Sequence, residues 1–161
     1  MNSLAFAINL ELEGAKYYRE QAELNKANEL STVFLLLAED EETHAQVLQN
    51  KLNELFYELK NNNTLTNVKN IFKGIGDYKE KTIAFPKQID LYRMALDKEK
   101  QSIKLYNEFL SEATDDMDKQ LFSYLVRQEM DHFTIIENMV MFVDRPEEWV
   151  ESAEFGIREE Y

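Results

Sequence analysis

Apolar residues recur along this chain every three or four positions, the period of helices with one face turned inward. Four long stretches carry the pattern. Residues 3 to about 25 place Leu4, Ile8, Ala15, Tyr18 and Ala22 on one stripe, with Asn2 or Ser3 as cap. A second stretch, from about Glu29 to Lys60 with Asn28 as cap, has Leu30, Phe34, Leu37, Leu48, Lys51 or Leu52, and Leu55 on its stripe. At 1.5 Å per residue such a helix is on the order of 45 Å long. A third starts near Pro86 and reaches about Ala113 through Tyr92, Leu96, Ile103, Tyr106 and Leu110. A fourth runs from about Met117 to Val143 through Phe122, Leu125, Ile136, Val140 and Val143. Short turns at 25–28 and 114–116 make an antiparallel hairpin of each successive pair. Between the pairs, Asn61-Asn62-Asn63 ends the second helix and residues 61–86 form a linker. Within it Val68 to Lys73 reads as a short helix, broken by Gly74 and Gly76. A linker of this length can run back along the bundle, so that the second and third long helices lie parallel. Arg145-Pro146 opens a C-terminal extension over 146–161, which Trp149, Val150 and Phe155 pack on the bundle while residues 158–161 stay solvated. The predicted fold class is all-α: one domain over residues 1–161, a four-helix bundle with a long crossover and a short C-terminal helical segment.

Polar residues interrupt these stripes at six places. Glu11 lies amid the first, Glu41 and His44 on the second, Glu99 on the third, and Glu129 and His132 on the fourth. A carboxylate on an inward face costs several kcal/mol unless it is paired, hydrogen-bonded or bound to a cation. His44 and His132 are the only histidines, and each follows a glutamate by three residues, which puts carboxylate and imidazole on one helix face. The second half of the chain repeats the first at an offset of 88 residues. Ala7, Glu11, Tyr18, Phe34, Leu37, Glu41 and His44 correspond to Ala95, Glu99, Tyr106, Phe122, Leu125, Glu129 and His132, and the cap Asn28 to Asp116. Two copies of one hairpin about a pseudo-twofold axis would bring six possible ligands together. Carboxylate and imidazole suit a pair of divalent iron or manganese ions, and four carboxylates balance the charge of two such ions. Glu41 and Glu129 would bridge the ions, Glu11 and Glu99 would be terminal, and His44 and His132 would bind one ion each. Such a set leaves positions open for water, O₂ or peroxide.

Composition removes other chemistry. The 161 residues hold no cysteine, which excludes disulfides, iron–sulfur clusters and thiol catalysis within them. A net charge of −13 argues against nucleic acid as a partner. No apolar run reaches the roughly 18 residues of a membrane span, and the first residues do not read as a signal peptide, so the expected setting is the cytoplasm.

One glutamate from each of two helices and Glu-x-x-His from the other two is the ferritin-like di-metal pattern. On Ala7-x-x-x-Glu11, Tyr18, Phe34 to His44, Ala95-x-x-x-Glu99, Tyr106 and Phe122 to His132, the chain resembles the rubrerythrin branch of the ferritin-like superfamily over roughly residues 3 to 145. The resemblance implies a non-haem centre of two iron ions, with manganese or another divalent metal as a substitute. It implies an oxidoreductase that reacts with hydrogen peroxide or O₂, or a ferroxidase that handles iron for storage. A metal-stabilised bundle without turnover is the third alternative. An external electron carrier is an expected partner, since no rubredoxin-type domain is present, and a homodimer is the expected assembly. Rubrerythrins carry an extra glutamate three residues after the ligand of the third helix; Ser102 stands there, which favours a simpler and more symmetric site. Two further pairs follow from the resemblance. Asp40 and Gln128, each just before a Glu-x-x-His glutamate, would receive the second N–H of the opposite histidine. Tyr18 and Tyr106 would hydrogen-bond to ligand carboxylates or sit near the oxidant.

Overall fold

Five helices and no strand make up residues 3–77 and 89–144, the part of the chain that the computed structural model describes. They are α1 (Ser3–Leu24), α2 (Leu30–Leu52), α3 (Thr64–Asp77), α4 (Ile89–Glu112) and α5 (Asp116–Asp144). Helix α1 pairs with α2 and α4 with α5, the two hairpins expected from the short turns. Asn28 caps α2 by accepting the N–H of Leu30 at 2.9 Å. The equivalent cap of α5 is Asp115, which accepts the N–H of Asp118 at 2.7 Å, and not Asp116 as the 88-residue offset predicts.

The buried side chains form two apolar clusters at opposite ends of the bundle. One joins Tyr18 and Ala22 of α1, Leu30 to Ala38 of α2, Val68, Phe72 and Ile75 of α3, Tyr92 and Ala95 of α4, and Ile135 to Met139 of α5. The other joins Ala7 and Ile8 to Val47, Leu48, Tyr106 and Leu121 to Leu125. The starts of α2 and α4 therefore share one end and their C-terminal parts the other, so these two helices run parallel. That is the ferritin-like arrangement, and α3 lies on the return path that it requires. Fully burying a Leu, Ile or Phe side chain stabilises by about 1.5–3 kcal/mol. Each cluster thus has ample means to fix the helices that enter the polar layer between them.

Two sequence expectations are corrected. The second long helix ends at Leu52 instead of Lys60, which makes it 23 residues long and about 35 Å at 1.5 Å per residue, shorter than expected. Glu54 adopts a left-handed conformation at φ 58°. The N–H of Leu55 then bonds to the carbonyl of Asn50 at 2.7 Å and that of Glu54 to Lys51 at 3.1 Å. This is a Schellman stop with glutamate where glycine is usual. Leu55, expected inward, is 58% exposed; Leu52 is exposed as well, and Lys51 pairs with Asp118. The linker helix is longer than predicted and runs from Thr64 through Gly74 to Asp77. Asn62 caps it by accepting the N–H of Thr64 at 3.1 Å, and Val68, Phe72 and Ile75 anchor it. Pro86, Val143 as a core side chain, and the whole extension from Arg145, with Trp149, Val150 and Phe155, lie outside what is described.

Candidate metal centre

All six residues singled out on the polar stripes meet in the layer between the two clusters. Glu11, Glu41, His44, Glu99, Glu129 and His132 are each no more than 4% exposed. Their donor atoms form two groups, Glu11–Glu41–His44–Glu129 and Glu41–Glu99–Glu129–His132, with ligand atoms within 4.8 Å of one another. Glu41 and Glu129 belong to both. Nδ1 of His44 lies 3.2 Å from Glu11 Oε2 and 3.0 Å from Glu129 Oε1. Nδ1 of His132 lies 2.8 Å from Glu41 Oε1, and 3.7 and 3.6 Å from Glu99 Oε1 and Glu129 Oε2. The imidazole rings stack with centroids 5.8 Å apart.

Each inner group is held from outside, and every one of these supports crosses from one hairpin to the other. Tyr18 donates to Glu99 Oε1 at 2.5 Å, and Tyr106 to Glu11 Oε1 at 2.6 Å. Nε2 of His132 faces Asp40 Oδ2 at 2.9 Å; Nε2 of His44 faces Gln128 Oε1 at 3.0 Å. Both histidines thus turn Nε2 to a support and Nδ1 to the centre.

The electrostatics are those of too many buried anions. Burial, Glu11 and Glu99 raise the Glu41 carboxyl to about 8, with His132 offsetting part of the rise. Burial and the charges of Glu11, Glu41 and Glu99 push Glu129 well above the usual carboxylate range. Glu99 goes the other way: burial would raise it, but the adjacent Glu129 carboxyl, the charge of His132 and the hydrogen bond from Tyr18 hold it below its ordinary value. Burial disfavours the imidazolium of His44, yet Glu11 and Glu41 outweigh it and raise the group to about 9. His132 is raised well above its ordinary value by Asp40, Glu41 and Glu99 against the same burial. Burial and mutual repulsion thus favour the protonated form of Glu41 and Glu129 wherever no cation offsets their charge.

The hydrogen bonding remains incomplete. Glu41 Oε1, Glu99 Oε2, Glu129 Oε2 and His132 Nδ1 are buried without a hydrogen-bond partner. Glu41 Oε1 and His132 Nδ1 are 2.8 Å apart and still fail the directional requirement of a hydrogen bond. Native interiors rarely leave such atoms unpaired. Their convergence is the arrangement of ligands aimed at a shared cation, so the residues present fit a metal.

The rubrerythrin family model matches residues 2–140 of the chain. The chain belongs to the rubrerythrin family. No curated protein and no solved structure matches it. Rubrerythrins typically bind iron, and in this member the buried Glu/His cluster is where metal can be held. Among the described residues, no helix is long and apolar enough to cross a membrane.

Sequence reasoning missed three participants. A Cβ on Gly14 would stand 2.7 Å from Glu41 Oε2, so this glycine lets the carboxylate approach α1. Asn62 donates to Gln128 Oε1 at 2.6 Å. Tyr124 sets its ring edge-on to His44 at 6.1 Å and donates to the carbonyl of Lys60 at 2.8 Å. Only Gly14 leaves a trace in the sequence: a glycine on the inward face of a helix, where it costs about 1 kcal/mol relative to alanine. A narrow crevice lined by Gly14, Tyr17, Tyr18, Lys98, Glu99 and Ser102 leads to Glu41.

Proposed function

We propose that this rubrerythrin-family protein holds two iron ions, for which Glu41 and Glu129, common to both donor groups, would be shared ligands. Glu11 and His44 would complete the set for one ion, Glu99 and His132 for the other. The observation that carries the reading is the pair of overlapping ligand groups that share Glu41 and Glu129, with four buried donor atoms left without hydrogen-bond partners. When bound, a ferrous pair would supply the two electrons needed to reduce hydrogen peroxide to water or O₂ to peroxide. The chain's own residues arrange the rest. Tyr18 and Tyr106 fix one oxygen of Glu99 and Glu11 and leave the other facing the centre. Asp40 and Gln128 hold the imidazoles with Nδ1 inward. The crevice beside Gly14 and Ser102 is narrow enough to select a diatomic or peroxide-sized reactant over an organic substrate. Re-reduction falls to an external electron carrier, because the 161 residues contain no cysteine to build a second redox centre.

A ferroxidase is the second reading. It is favoured by Ser102, which places a neutral residue at the crevice where rubrerythrins have a further glutamate. Anaerobic Fe²⁺ titration followed by peroxide or O₂ tests both. Two irons per chain, near-ultraviolet ferric absorption and catalytic peroxide consumption with an added reductant support the oxidoreductase. Ferric product released or stored, with no peroxide turnover, supports the ferroxidase. Metal binding without any oxidation leaves only a stabilising metal. Glu41→Ala or Glu129→Ala should lose the paired site; retention of both irons refutes the bridging roles.

A further inference from the structure

The two halves of the centre differ at one pair of positions. Behind His132 stands the carboxylate of Asp40; behind His44 stands the neutral amide of Gln128. The orientation of that amide is decided outside the ligand cluster. Asn62 uses Oδ1 to accept the N–H of Thr64, a group that can only donate. Its other side-chain atom is therefore the NH₂, and this donates to Gln128 Oε1. The same oxygen faces His44 Nε2 at 3.0 Å, so Nε2 carries a hydrogen, and Nδ1, which faces Glu11 and Glu129, is the nitrogen left to bind a metal. The capping residue of α3 thus sets the tautomer of a histidine in the middle of the bundle.

We propose that Asn62 and Gln128 are positioning residues for His44, and that the His44 metal position is the weaker of the two and fills second. The inference rests on the di-metal reading above. A carboxylate behind an imidazole increases its strength as a ligand, and outer partners of this kind change metal affinity by about 10–100-fold. Asp40 gives His132 that support. Gln128 supplies orientation without charge, so His44 lacks it.

The test is anaerobic calorimetric titration of the full chain with Fe²⁺. Two steps separated by about tenfold or more are expected. His44→Ala should keep only the tight step and His132→Ala only the weak one. Asn62→Asp preserves the cap of α3 but replaces a donor by an acceptor. Gln128 then turns its NH₂ toward Asn62's replacement and toward His44, which moves the imidazole hydrogen to Nδ1 and should weaken the second step about tenfold or more while sparing the first. Gln128→Glu, of the same shape, should bring the second step toward the first, and it decides the matter if the Asn62 variant does not fold. Nitrogen-15 NMR of the Zn²⁺-loaded protein reads the tautomer directly, with hydrogen on Nε2 of His44 expected. Two equal steps in the unaltered protein, an unchanged second step in both variants, or hydrogen on Nδ1 overturns the inference while leaving the di-metal reading intact. Binding of no Fe²⁺ overturns that reading and this inference together.

Discussion

Replacing Gly14 by alanine separates a metal site from ordinary packing, because the two readings give effects of opposite sign. Within a helix, alanine is favoured over glycine by about 1 kcal/mol. Gly14 lies well inside α1, so the metal-free variant should gain stability of that order, less the cost of moving its neighbour. The neighbour is Glu41. The new Cβ would stand 2.7 Å from its Oε2, whereas ordinary contact begins at 3.4 Å, so the oxygen must retreat by about 0.7 Å. A protonated Glu41 at the end of a flexible side chain can make that move at modest cost. A bridging Glu41 cannot, since metal–ligand distances tolerate only about 0.2 Å. Fe²⁺ affinity should therefore fall by about 10–100-fold, or roughly 1.4–2.7 kcal/mol. Thermal melts with and without metal, alongside anaerobic titration, measure both quantities. The metal-free melting temperature should hold or rise while the metal-induced increment shrinks. A metal-free protein destabilised by several kcal/mol with unchanged affinity would show that Gly14 merely relieves a crowded helix contact.

The metal-free protein should lose stability as pH rises from about 5 to 9. Glu41, raised in the fold to about 8, and His44, raised to about 9, contribute stability that is complete below their unfolded values and lost as pH climbs through the folded ones. Glu99, lowered in the fold, contributes in the opposite sense, but its contribution is already complete above pH 5. Denaturant melts across this range check the sign; rising stability would contradict it. Metal must displace these protons, so Fe²⁺ affinity should increase about tenfold per pH unit for each proton released, as calorimetry in buffers of different ionisation heat will read. Tyr18→Phe and Tyr106→Phe each remove a hydrogen bond to a buried carboxylate and should destabilise the protein by about 1.5–3 kcal/mol in chemical denaturation. Glu54→Gly removes the strain of a left-handed glutamate and should stabilise by about 0.5–1 kcal/mol without touching metal binding.

What was legible in the sequence, and what was not, divides along a physical line. Stripe positions were legible because burial imposes a period, and the six centre residues stood out because charge is expensive there. The end of α2 was not legible: Leu55, Phe56 and Leu59 prolong the apolar pattern, and a Schellman stop on Glu54 lacks the glycine that would announce it. Nor was the length of α3, where Gly74 faces open space and the burial of Phe72 and Ile75 outweighs about 1 kcal/mol of glycine cost. Asn62, Tyr124 and the close approach at Gly14 depend on which elements meet in space, and no local pattern records that.

The repeat carried more than a duplication of ligands. In the folded protein Tyr18 reaches Glu99, Tyr106 reaches Glu11, Asp40 reaches His132 and Gln128 reaches His44, so each hairpin orients the polar residues of the other. Docking buries one histidine and two glutamates from each hairpin, and leaving charged groups unpaired in an interior costs several kcal/mol each. Docking of the hairpins therefore supplies partners to the polar residues of both at once.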